Sequence, residues 1–271
     1  MGGLKVSTLG PADGSAWITG ASSGIGRATA LRLARDGWTV FASARDGAKL
    51  IELAREADKF GGTVHPFPVD VTVLEDVQTV VDKIETKHGR IALAVLNAGT
   101  FTKDGVDRFQ ASDFERQLDV NFLGTVKCLQ PLLGHFLARR SGHIAIMASV
   151  AGYGGLPMAM GYGASKAALI NLAEALRLEC QPYNVKVQVI NPGFIKTELT
   201  DKNDFPMPFL MDLDDAVDAL VRGLKRPNFE IAFPRRFAFL LKRLRGLPYG
   251  LYFALVSRAT GVNRRERRRE R

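Results

Sequence analysis

Short β-rich runs alternate with longer amphipathic ones almost to the end of the chain, and this rhythm restricts the fold more than any single motif. "SAWIT" is followed by "GIGRATALRLARDG", "TVFASA" by "KLIELAREADKFG", and "TVHPFPVDV" by "VLEDVQTVVDKIETKHG". Alternation of this kind indicates successive βαβ units and a parallel sheet. It continues through "IALAVLNAG", a long segment over residues 112–138, "HIAIMAS", "ASKAALINLAEALRLEC", "VKVQVINPG", "LDDAVDALVRGL" and "FEIAFP", giving seven strand candidates with six helices between them. The strands are apolar without clear alternation, as expected where helices cover both faces of a sheet. No internal repeat or low-complexity linker interrupts the pattern, so one α/β domain is expected.

Charge is distributed unevenly. The formal net charge is +9, yet from Arg235 onward 12 Lys or Arg face 2 acids, leaving 25 basic and 26 acidic residues in the rest of the chain. A neutral body with a basic tail argues against nucleic-acid binding by the body. The two cysteines, Cys128 and Cys180, lie in helix-like segments with no Cys-x-x-Cys pair. Neither a disulfide framework nor a zinc site is suggested, and a reduced cytoplasmic setting fits. His65, His88, His135 and His143 lack metal-ligand spacing, so no metal is expected. The N-terminus reads as a short leader, with Val6 where a myristoylation signal needs Ser or Thr.

"TGASSGIG", residues 19–26, follows the first strand and opens the first helix. Gly20, Gly24 and Gly26 allow a sharp turn and close approach of a pyrophosphate, which the helix N-terminus can receive with unpaired N–H groups. Ser22, Ser23 and Ile25 belong to the same turn. The spacing Gly-x-x-x-Gly-x-Gly resembles the short-chain dehydrogenase/reductase family. An acid about 20 residues beyond the glycines would accept bonds from the ribose hydroxyls of NAD. That position is Ala44, followed by Arg45, whose guanidinium suits a 2′-phosphate. NADP(H) is therefore expected over NAD(H), with Arg27 able to assist. By the same resemblance, "VDV" places Asp70 and Val71 beside the adenine, and "NAG", Asn97, Ala98 and Gly99, walls off the cofactor.

Tyr162 and Lys166 stand four residues apart at the start of a helix-like stretch, where i and i+4 share a face. Ser149 ends the "HIAIMAS" strand and Asn121 lies in "VNFLG" of the preceding helix. In order and spacing these four match the tetrad of the short-chain dehydrogenase/reductase family. Hydride addition to a carbonyl builds negative charge on oxygen, which needs a proton and hydrogen-bond donors. Tyr162 supplies the proton in this reading, a neighbouring Lys166 cation lowers the phenol's pKa, and Ser149 bonds the substrate oxygen. The resemblance further implies that Lys166 holds the nicotinamide ribose and that Asn121 holds a water linking Lys166 to solvent.

"NPGFIKT" resembles the family's Pro-Gly segment, implying that Pro192, Gly193, Ile195 and Thr197 meet the nicotinamide carboxamide. After it come Phe205, Met207, Phe209, Leu210 and Met211, where family members place a substrate lid. An apolar lid suggests a lipophilic ketone, aldehyde or alcohol. Beyond residue 234 the resemblance fades. Phe237, Leu240, Leu241 and Leu244 fall on one side of a helix and Arg236, Lys242, Arg243 and Arg245 on the other, before "RRERRRER" ends the chain. Such a segment can lie on an anionic membrane, pack on a second subunit, or cover the chain's own substrate site.

The expectation is a doubly wound, Rossmann-like α/β domain over residues 14–234 with a C-terminal helical extension over 235–271. Its expected activity is NADP(H)-dependent interconversion of a carbonyl and an alcohol, in a protein that is cytoplasmic or peripheral at a membrane and that, by the family resemblance, is a homodimer or homotetramer. Reduction of a 3-oxoacyl thioester is the alternative chemistry. A non-catalytic dinucleotide sensor or membrane-recruited scaffold is the alternative class, against which the complete tetrad argues.

Overall fold

Both faces of the sheet are covered, which is why its strands show no alternation. The computed structural model describes residues 9–198, 200 and 207–262; Val6, Phe205 and the run at 264–271 lie outside them. Seven strands, β1 (Ser15–Thr19), β2 (Thr39–Ser43), β3 (Thr63–Pro66), β4 (Ile91–Leu96), β5 (Gly142–Met147), β6 (Val185–Pro192) and β7 (Glu230–Phe233), form one sheet. Their order is β3-β2-β1-β4-β5-β6-β7, and every pairing is parallel.

Alternate residues enter separate cores. Ala16, Ile18, Val40, Ala42 and Val95 pack with α1 (Gly24–Arg35), α2 (Gly47–Ala57) and α7 (Leu213–Leu224). Trp17, Phe41, Ala94, Ile144 and Val187 face α3 (Leu74–Lys87), α5 (Gly124–Ala138) and α6 (Met160–Glu179). Leu50, Leu53, Leu132 and Phe136 are fully buried, and each such side chain contributes about 1.5–3 kcal/mol. The buried Trp17 indole donates to Ser43 Oγ at 2.9 Å, so its one polar group is satisfied.

Two boundaries differ from the sequence expectation. β3 stops at Pro66, on an edge strand where a residue without an N–H is tolerated, although Phe67 N still donates to Ala42 O at 2.8 Å and Val69 N to Ala44 O at 3.0 Å. The long segment expected as one helix is α4 (Ala111–Leu118), a π-helical turn (Asp119–Leu123) and α5. That widened turn carries Asn121, and such π-bulges often mark functional positions.

From β1 the chain winds outward through β2 and β3, then returns to build β4 to β7 on the other side. The carboxyl ends of β1 and β4 therefore flank a topological switch point, where open α/β sheets bind ligands. α8 (Arg235–Arg245) and α9 (Tyr249–Thr260) settle near this edge. Phe237 and Ala238 bury against Val150, with Tyr153, Phe194 and Leu241 around them. Glu230 ties the helix down, accepting from Tyr153 Oη at 2.5 Å and Asn191 Nδ2 at 2.8 Å and pairing with Lys242. Tyr252 Oη donates to Gly155 O at 2.7 Å. Among the described residues no helix is long and apolar enough to cross a membrane.

Candidate active site

The turn after β1 is shaped by what its glycines touch. Gly20 has φ +66°, and a Cβ there would come within 2.8 Å of Ala98 Cα. A Cβ on Gly26 would lie 2.3 Å from Gly20 O. Asn97, at the end of β4, locks this packing: its Nδ2 donates to Thr19 O at 3.0 Å and Gly20 O at 3.1 Å, while Thr19 Oγ1 accepts from the N–H of Asn97 and Ala98. Asn97 thus braces the turn as well as lining the cleft beside it. Ser23 begins α1 without a side-chain capping bond, leaving its hydroxyl and the first N–H groups of the helix to face an anion.

A cleft of about 360 Å³ opens above this turn. Gly20, Ser22, Ser23, Gly24 and Ile25 form its floor, Arg45, Asp70 and Val71 one end, and Asn97, Ala98 and Gly99 its middle. Tyr162, Lys166, Pro192 and Thr197 close the other end. Gly26 is buried beneath the floor, and Gly193 and Ile195 line an adjoining pocket instead. Thr100, Arg116, Val120 and Glu198 also line the cleft. Thr100 and Val120 adjoin Gly99 and Asn121, so adjacency could have found them; Arg116 on α4 carries no such signal.

Arg45 is exposed and, among the described residues, has no ion-pair partner. Burial alone would raise the Asp70 carboxyl, but bonds from Thr72 and the charges of Arg45 and Lys127 outweigh it and hold the carboxyl below its usual value. Arg27 does not give the assistance expected of it. Its guanidinium pairs with Glu56 of α2 at 2.5 Å, away from the cleft lining.

The four residues of the expected catalytic set come from three elements, since Tyr162 and Lys166 share α6. Asn121 is fully buried in the π-turn, donating to Thr100 O at 3.0 Å and Ser165 Oγ at 2.9 Å and accepting from Thr100 N at 2.7 Å. One lone pair of its Oδ1 is left over. Ser149 caps the turn after β5, its Oγ accepting from Ala151 N at 3.1 Å and donating to Pro192 O at 3.3 Å. Tyr162 stands edge-on to Phe101 with ring centroids 5.3 Å apart. Burial raises its phenol above the ordinary value, and a hydrogen bond with Ser149 pulls it back. Lys166 Nζ lies 5.6 Å from the Tyr162 ring centroid and donates to Met147 O at 2.8 Å. Any methyl on Gly99 would sit 3.3 Å from Asn121 Oδ1 and 3.5 Å from Lys166 Nζ, so both groups converge there.

The shifts run against one expectation. Burial pulls the Lys166 ammonium from 10.5 to about 7 and outweighs everything else at that group, while the phenol goes up rather than down. The unfolded chain binds the extra proton between these two values, so this cost to stability is complete below about pH 7 and fades as pH rises toward 10.5. Lys166→Met is expected to stabilise the fold by about 2 kcal/mol at about pH 6, net of the lost bond to Met147 O and seen as a higher Tm, and to lose that advantage by about pH 10. An equal Tm change at both pH values would show that burial does not suppress this charge.

Asp104, which the sequence reading missed, positions α6. Its buried carboxylate accepts from Met160 N at 2.6 Å and Gly161 N at 2.7 Å, capping the helix that carries Tyr162. It stands 56 residues before Met160, so no local capping pattern reveals it.

An apolar pocket of about 280 Å³ adjoins the cleft and shares Ile25, Tyr162, Pro192 and Thr197 with it. Ser149, Phe101, Leu156 and Met158 line one side, Phe194 and Ile195 another. Phe237, Leu241 and Leu244 of α8 and Val256 of α9 complete its wall. Of the three roles left open for the extension, covering the chain's own pocket is the one these contacts make. Of the expected lid, Pro208 reaches the pocket, and Phe209 stacks on Phe237 at 5.6 Å.

The seven-stranded parallel sheet, its first turn and the Tyr162–Lys166 helix define an oxidoreductase of the short-chain dehydrogenase class, and this chain belongs to that family. The family model described as short chain dehydrogenase matches residues 15–206. An uncharacterized oxidoreductase of Myxococcus xanthus is 37% identical over 244 residues, covering 90% of this chain and 96% of that protein. The 3-oxoacyl-(acyl-carrier-protein) reductase FabG of Thermotoga maritima is 37% identical over 68% of this chain and 75% of its own length. A short-chain dehydrogenase from Sphingobium yanoikuyae, solved in complex with NADPH, superposes with a TM-score of 0.77 at 30% identity, covering 88% of this chain and 94% of that one.

Proposed function

We propose that the protein is an NADP(H)-dependent oxidoreductase that interconverts a lipophilic ketone or aldehyde and the corresponding alcohol. The observation carrying this reading is the position of Tyr162 at the junction of a glycine-floored cleft and an apolar pocket, with Ser149 on the pocket side. The residues of the cleft suit a nicotinamide dinucleotide: a close-packed turn, an uncapped helix start and an unpaired Arg45. The NADPH complex of the Sphingobium relative supports the choice of phosphate form.

When bound, such a cofactor supplies or accepts the hydride. The chain does the rest. Ser149 Oγ turns its hydrogen from Pro192 O toward the substrate oxygen. Tyr162 Oη delivers its proton to that oxygen as charge develops there. A phenol held high by burial stays protonated at neutral pH, which suits reduction. Lys166 presents an ammonium to the phenolate left behind, and Asn121 fixes the Gly99–Thr100 segment beside it. Val150, Phe194 and Phe237 keep water from the apolar side.

A second reading, reduction of a 3-oxoacyl thioester, is favoured by the FabG relative. Following NADPH oxidation with ketones of increasing chain length, beside a 3-oxoacyl thioester, separates the two. The first reading expects kcat/KM to rise with apolar length, about tenfold for each two methylenes seated in the pocket. Turnover confined to the thioester would move the second reading ahead. Turnover of none, with NADPH bound, would favour the sensor or scaffold class.

A further inference from the structure

α8 and α9 have two unlike faces. Their inner sides place Leu241, Leu244 and Val256 on the apolar pocket. The outer sides expose Phe239, Leu240, Tyr249, Leu251, Phe253 and Leu255, with Phe239 61% and Phe253 59% accessible. Residues 235–262 hold six cations and no acid. The guanidinium of Arg243 lies 5.1 Å from the Phe239 ring centre and that of Arg245 lies 5.3 Å from Tyr249. Phe209, 49% exposed and stacked on Phe237, continues the apolar surface toward the body.

Exposed rings and leucines call for an apolar surface, and the cations other than Lys242, which pairs with Glu230, call for a negative one. A second copy meets only the first demand. An isologous contact would press this face against itself and bring its cations together with only Glu230, already paired with Lys242, to offset them. The rest of the chain, at a net charge near zero, offers no compensating excess of acids to a head-to-tail contact. An anionic bilayer surface meets both demands: rings and leucines enter the headgroup boundary while Arg and Lys stay among the phosphates. At 11 and 12 residues the helices are too short to span, so they lie flat.

We propose that the outer face of α8 and α9 docks on anionic lipid bilayers and brings the mouth of the apolar pocket to the membrane. Substrate dissolved in the bilayer then enters between the two helices and the segment around Phe209. This entry route rests on the carbonyl-reductase reading above; the docking does not.

Flotation of the full chain with vesicles of phosphatidylcholine alone, and with about 30 mol% phosphatidylserine added, tests the docking without turnover. Binding is expected on the anionic vesicles, little on the neutral ones, and less of it as salt rises. Arg243→Gln with Arg258→Gln is expected to weaken partition roughly 30-fold, since each cation near the surface counts about fivefold. Phe239→Ser with Phe253→Ser should weaken it at least as much. Both double variants should keep NADPH affinity and turnover of a water-soluble ketone, which checks folding. No partition onto anionic vesicles overturns the proposal, as does equal partition onto both kinds. Dissociation of an oligomer by the Phe variants, without vesicle binding by the parent, would assign the face to a second copy. Docking with no turnover would remove the reductase reading and leave the membrane site standing.

Discussion

Tyr162→Phe is expected to lower kcat by about 1,000-fold or more, while the NADPH dissociation constant stays within about twofold. The substitution removes one oxygen and keeps the ring, so the edge-on contact with Phe101 at 5.3 Å survives. Ser149 also keeps its bonds to Ala151 N and Pro192 O, and no buried group is orphaned. What disappears is the proton meeting the alkoxide, and no second acid is placed to replace it. Lys166 Nζ is directed to Met147 O, and Ser149 is far weaker as an acid than a phenol. Turnover by rapid mixing with saturating NADPH, beside a fluorescence titration of NADPH, reads both quantities. Residual activity of more than a few per cent would mean that proton delivery lies elsewhere. Loss of activity together with loss of NADPH affinity would mean that the ring, not the hydroxyl, was the important part.

How much of this could be read from the sequence depended on sequence distance. The β1 run "SAWIT" became Ser15–Thr19, and the turn after it kept its glycines where the packing against Ala98 and Asn97 requires them. Tyr162 and Lys166 were legible because four helical residues bring two side chains to one face. Asp104 was not, since only the folded chain brings its carboxylate to the start of α6. The direction of the Tyr162 shift was not legible either. Spacing predicts that a cation is near, but burial, which a sequence motif does not report, dominates at both groups. The extension shows the same limit. Its amphipathic pattern was plain, yet an apolar stripe says only that something covers it, and Val150, Phe194 and Tyr153 come from distant segments. Arg27 looked suitable by adjacency to the glycines, until Glu56, 29 residues away, proved to be its partner.

Arg45→Asp is expected to raise the NADPH dissociation constant by about 100-fold and leave that of NADH unchanged or a few-fold lower. Arg45 follows β2 at the open end of the cleft, exposed and without an ion-pair partner, so its donors are free for a 2′-phosphate. A guanidinium–phosphate pair is a charge-assisted, bidentate contact. Reversing the charge loses that contact and sets a carboxylate beside Asp46 and Asp70, which already line this end. Three acids there repel a phosphate, whereas the ribose hydroxyls of NADH gain an acceptor. Among the described residues Arg45 makes no close ion pair, so its replacement should cost about 1 kcal/mol of stability or less, from the lost attraction to Asp70. A small Tm change therefore excludes misfolding as the cause of weakened binding. Paired titrations with NADPH and NADH give the ratio directly. An unchanged ratio would remove Arg45 from the phosphate site, and Arg116, a further cation lining the cleft, would be the next residue to replace.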